Sequence, residues 1–194
     1  MNQKKKLYGK ILLPTALAAA LLSLTACGSG DSNNTSTIAS ITNESSAVST
    51  VNGEVPYTFF DDAVFVGDSV SLKLNLYVSA QRKNDNAFMG TAQFLTPGSY
   101  GTGNELKELG SDNSVHPSYN GTEMYLADAI EAMGAKKVFI MLGMNDIAVY
   151  GNDGAVKNME TVLAQIKEKN PDTTIYVQSM TPIVGTAQTG SLTN

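Results

Sequence analysis

The sequence has one cysteine, one histidine and no tryptophan. With Cys27 as the only thiol, the residues after it form no disulfide and no thiolate metal cluster, and a single histidine gives no multi-histidine metal centre. Basic residues are scarce as well. Lys4, Lys5, Lys6 and Lys10 take four of the 13, and the remaining 9 stand against 18 acidic residues, a formal charge of −9 once that leader is set aside. Such an acidic surface disfavours nucleic acid and phosphate-rich anions as partners. There is no Gly-x-Gly-x-x-Gly loop and no Walker loop to cradle phosphates. No cofactor and no metal is therefore expected.

The N-terminus reads as an address. The four lysines precede an apolar stretch, Ile11 to Leu24, which Pro14 interrupts and which is too short to span a bilayer comfortably. Leu24-Thr25-Ala26-Cys27 closes it and resembles a bacterial lipobox. That resemblance implies a signal peptide over 1–27, a lipid on Cys27, and a protein anchored to the extracytoplasmic side of the cell membrane. Residues 28–56 are rich in Ser, Thr, Asn and Gly with scattered apolar positions, and read as a flexible tether. Residues 57–194 remain for one domain, enough for a sizeable core.

Within that domain, continuous apolar runs bounded by turn residues predict buried parallel strands at Ala63 to Val66, Thr91 to Leu95, Lys137 to Leu142 and Thr174 to Ser179. Helical spacing appears between them. Thr122 is a candidate cap for a helix carrying Leu126, Ile130 and Met133 and ending at Gly134. A second helix carries Val156, Met159, Leu163 and Ile166 and ends at Asn170-Pro171, and Asn104 to Leu109 predicts a short third. Val70, Leu72, Leu74, Leu76 and Val78 alternate as in a strand. A helix is nevertheless expected there, because a strand, a glycine and a serine lead into it. The alternation predicts a parallel α/β sheet with helices on both faces.

Two strand ends carry chemistry. The first strand stops on Gly67-Asp68-Ser69 and the third on Gly143-Met144-Asn145-Asp146. These two blocks resemble those of the SGNH or GDSL serine hydrolases, with Val70 in the usual leucine position. The resemblance covers roughly Tyr57 to the end. It implies a three-layer, flavodoxin-like α/β/α fold, a nucleophile at Ser69, and an oxyanion hole formed by the Ser69 amide, the Asn145 side chain and a glycine amide after the second strand. Gly98 is the expected glycine, with Gly90 and Gly101 as rivals. Asp68 and Asp146 are expected to fix their turns by hydrogen bonds to backbone amides.

The family's Asp-x-x-His block has no counterpart here. His116 precedes the third strand, lacks an aspartate at that spacing, and is expected to be an exposed loop residue rather than the base. A serine hydroxyl without a base is a poor nucleophile. The expectation is therefore a lipid-anchored esterase whose histidine lies beyond this chain, acting on small carboxylic esters or acylated carbohydrate. Its fifth strand and last helix would lie beyond the chain as well. The alternatives are an inactive surface binding module of the same fold and, with less support, a mononucleotide binder.

Overall fold

A computed structural model describes residues 54–187. The expected signal peptide, the lipidated Cys27 and residues 28–53 of the tether lie outside the described residues. No helix among the described residues is long and apolar enough to cross a membrane.

A 3-10 turn, Tyr57–Phe60, leads into β1 (Ala63–Gly67) and α1 (Ser69–Gln81). Then come β2 (Gln93–Leu95), the single-turn α2 (Thr102–Glu105), a small hairpin of β3 (Ser118–Tyr119) and β4 (Thr122–Glu123), and α3 (Leu126–Met133). The chain continues through β5 (Lys137–Met141), α4 (Met144–Lys169) and β6 (Thr174–Val177). β2, β1, β5 and β6 pair in that order, all in parallel. Counted along the sheet this is 2-1-3-4, the order of a flavodoxin-like doubly wound sheet.

The chain moves one way from β1 to β2 and the other way from β5 to β6. Right-handed crossovers then put α1 on the face opposite α3 and α4. The main core lies under α3 and α4: Val64, Val66, Val138 and Ile140 from the strands meet Leu126, Ile130, Val162 and Ile166 from the helices. On the opposite face, period-two alternation brings Phe94, Phe65, Phe139 and Tyr176 into one row. Neighbouring rings stack at centroid distances of 5.4, 4.7 and 4.6 Å, and each pair is also a register pair of the sheet. Ile140 is fully buried, so Ile140→Val should cost about 0.5–1.5 kcal/mol in urea unfolding. Val156→Ala, at a position 58% exposed, should stay within about 0.5 kcal/mol of the parent.

α1 settles the conflict between alternation and helix. Asp68 caps it, its Oδ1 accepting the Val70 N–H at 2.8 Å. The inward stripe is Ser71, Leu72, Asn75 and Val78, a 3.6-residue repeat, while Leu74, Leu76 and Tyr77 are exposed. Three other expectations are corrected. Thr122 belongs to the β3–β4 hairpin and not to a helix cap; α3 starts at Leu126 after Tyr125, although Gly134 does end it in the left-handed conformation. The short helix occupies Thr102–Glu105 rather than Asn104 to Leu109. α4 begins immediately after Gly143, is broken at Gly151 (φ 67°, ψ 178°), and buries Ala155, Val162 and Ile166, leaving Val156 outside.

Candidate active site

In a doubly wound sheet, ligands bind beyond the carboxyl ends of the strands where the crossovers part company. Here that point falls between β1 and β5, the two strands that carry Ser69 and Asn145. Gly67 is buried at the end of β1. A Cβ there would lie 2.0 Å from Ser71 Oγ and 2.9 Å from the Met141 carbonyl, so a side chain would push α1 away from β5. Its φ is not positive; close approach is the requirement. Ser69 follows as the first residue of α1 and is exposed at the helix N-terminus. Its amide is one of the four that an α-helix leaves without an internal partner.

Asn145 is exposed on the first turn of α4, which Gly143 makes possible by adopting φ 129°. Its Nδ2 donates to the Tyr100 carbonyl at 2.8 Å and lies 3.5 Å from Asp68 Oδ2. The carboxamide thus bridges the serine turn and the loop after β2. One N–H is committed to Tyr100. The other has only the distant Asp68 oxygen, at the limit of a hydrogen bond, and is the one able to turn toward a developing oxyanion.

The two aspartates hold backbone, as expected, but Asp146 does so across the fold. Its Oδ2 accepts the Thr102 N–H at 3.0 Å and its Oδ1 the Gly103 N–H at 2.7 Å. Asp146 is 1% exposed. These charge-assisted bonds clamp the loop after β2 onto α4.

The three glycines lie in different places. Gly90 packs on Asp61 and Tyr57, before β1 and therefore at the amino edge of the sheet, away from Ser69. Gly98 is exposed, with open space where a Cβ would stand. Gly101 is buried against Asp146, 2.9 Å from its Oδ1 at the Cβ position, and directly follows the carbonyl that holds Asn145. A crevice of about 10 Å³ beside the serine turn is lined by Asp68, Val70, Met144 and Met180 among others. A larger cavity of about 420 Å³ lies along α3 and α4, bordered by Tyr125, Asp128, Gln165 and Lys169.

His116 is not an exposed loop residue. It is 4% exposed, its Nδ1 lies 3.3 Å from Glu105 Oε2, and its ring packs edge-on to Tyr125 at 5.2 Å. The apolar flanks Val115 and Pro117 were the available signal, since both pack inward. Two further residues had no sequence signal. Tyr100 is fully buried and its hydroxyl donates to Glu105 Oε2 at 2.8 Å; Glu105 Oε1 accepts the Leu126 N–H at 2.7 Å.

Burial pushes the Glu105 carboxyl above its ordinary value, against the pull of the Leu126 amide, the Tyr100 hydroxyl and His116. Burial, and then the Glu105 charge, raise the Tyr100 phenol well above its ordinary range. Because the folded protein keeps the Glu105 proton where the unfolded chain has released it, stability from this group falls as pH rises from about 4.5 through the folded value. The unfolding free energy of the parent minus that of Glu105→Gln should accordingly decline over that window and then level. A difference that grows with pH would show that the three donors outweigh burial.

Comparison with protein-family models, with curated proteins and with solved structures finds no match to this chain.

Proposed function

We propose that this domain is an extracytoplasmic serine ester hydrolase of the SGNH type, tethered through a lipid on Cys27, with Ser69 as nucleophile. The observation that supports it most is the Asn145 carboxamide held between the serine turn and the loop after β2. In this reaction Ser69 Oγ attacks the ester carbonyl carbon, and the carbonyl oxygen becomes an oxyanion facing the Ser69 amide, the Asn145 side chain and a glycine amide. The tetrahedral species collapses with loss of the alcohol, which takes the serine's proton by way of the base. Water then hydrolyses the acyl-serine.

Gly98 and Gly101 both follow β2; because a trans peptide points its N–H opposite to its C=O, the Tyr100 carbonyl that faces Asn145 turns the Gly101 amide away, and Gly98 stays the proposed donor. The base this reading requires is a histidine other than His116, whose ring is buried and whose unpartnered Nε2 makes no hydrogen bond with Ser69. Small carboxylic esters, including O-acetyl groups on carbohydrate or peptidoglycan, are the proposed substrates.

The test begins with the reading frame past the codon for Asn194. A frame continuing into an Asp-x-x-His should give a protein that hydrolyses p-nitrophenyl acetate, while the 194-residue chain does so very weakly or not at all. Robust turnover by the 194-residue chain would refute the missing base.

The buried His116 also favours a second reading, a binding module that keeps the pocket without catalysis. A stop codon after Asn194 and saturable polysaccharide binding that survives Ser69→Ala would support that reading instead.

A further inference from the structure

Tyr100, Glu105 and His116 form a buried polar cluster with no direct part in ester cleavage. Their placement is nonetheless close to it. The backbone of Tyr100 accepts the Asn145 Nδ2–H at 2.8 Å, and its side-chain hydroxyl, at the other end of the residue, is held by Glu105 at 2.8 Å. Glu105 is 3% exposed, and its two oxygens take the Tyr100 hydroxyl, the Leu126 amide and His116 Nδ1. The loop from Tyr100 to Glu105 is therefore fastened twice. The Asp146 carboxylate holds its middle at Thr102 and Gly103, and the Glu105 carboxylate ties its two ends together and to the start of α3.

We propose that Glu105 is a positioning residue for the oxyanion site, fixing the ring of Tyr100, and through it the carbonyl that aims the Asn145 carboxamide. This rests on the ester hydrolase assignment for its consequence in catalysis, but not for its geometry.

A neutral core would have filled the same space without ionisable groups, and burying a carboxylate costs stability unless its oxygens are fully used. Here three donors use them. Two come from other parts of the chain: the hairpin approach at His116 and the first amide of α3. His116 has no second partner among the described residues, its Nε2 being buried without a hydrogen bond. Glu105 thus supplies the one polar contact that orients this ring. Loss of the carboxylate would free the Tyr100 ring, and a shift of about 1 Å at a positioning group is enough to lower a rate by about a hundredfold.

The decisive readout is the side-chain amide of Asn145 in the ¹⁵N-labelled 194-residue chain, assigned by its loss in Asn145→Ala. Glu105→Ala should move both proton resonances toward those of a free carboxamide. Tyr100→Phe, which deletes only the hydroxyl, should move them the same way by less, and Glu105→Gln should restore part of the shift. Unmoved Asn145 resonances in Tyr100→Phe and Glu105→Ala, with the rest of the spectrum retained, would overturn the proposal whatever the protein hydrolyses. If Glu105→Ala unfolds the chain, Tyr100→Phe alone decides.

In the longer reading frame, Tyr100→Phe should lower kcat about tenfold with KM unchanged. An equal rise in KM at constant kcat would assign the cluster to substrate binding and overturn the positioning role. Absence of any Ser69-dependent hydrolysis there would instead remove the ester hydrolase assignment, and the resonance shifts would still decide the geometry.

Discussion

Ser69→Ala in the protein expressed from the full reading frame should abolish hydrolysis of p-nitrophenyl acetate, with kcat falling on the order of 10⁴–10⁶-fold. The size of the loss follows from what the hydroxyl does. In the proposed reaction it is the atom that forms the new bond, and neither Asp68 nor Thr96 can replace it: Asp68 is buried with Oδ1 on the Val70 amide, and the Thr96 hydroxyl takes a hydrogen bond from Asn75 Nδ2 at 3.3 Å. The fold should be indifferent to the change, because Ser69 is exposed and Asp68 supplies the helix cap. Thermal unfolding within about 2 °C of the parent would separate lost chemistry from lost structure. Activity retained in that variant would end the serine hydrolase assignment.

Asn145→Ala should lower kcat by about a hundred- to a thousandfold, with a much smaller change in KM. In the proposed reaction the carboxamide donates to charge that exists in the transition state and hardly at all in the bound ester. The substitution also releases the Tyr100 carbonyl from its 2.8 Å bond. Asn145→Asp would retain the size of the side chain but place a second carboxylate beside Asp68, opposing an oxyanion, and should be at least as damaging as alanine. A variant with raised KM and unchanged kcat would mean that Asn145 binds substrate without stabilising the oxyanion.

The strands and the two motif turns were legible because their information is local: four or five apolar residues in a row and a glycine at the end. Ser69 and Asn145 stand at adjacent strand ends for the same reason. Longer-range links had no such signature. Asp146 finds its amides 44 and 43 residues upstream, and His116 finds Glu105 only after the loop that follows α2 has brought the chain back. Spacing misled where a residue's neighbours in space outweighed its neighbours in sequence. Leu74 and Leu76 follow the period of a strand, yet the capped helix turns them outward. Thr122, a good cap by type, pairs with Tyr119 across a hairpin whose turn places Asn120 and Gly121 at positive φ.

The aromatic row across the sheet acts as a vernier for the site. Phe65 and Phe139 are register partners, and Ser69 and Asn145 lie fixed numbers of residues beyond them. Strands advance about 3.3 Å per residue, so a slip that kept every ring on its own face would displace one turn past the other by about 6.6 Å. Stacked rings on four consecutive strands penalise that slip at three junctions at once. The distance between Ser69 and the Asn145 carboxamide is thereby set on the face of the sheet farthest from α4.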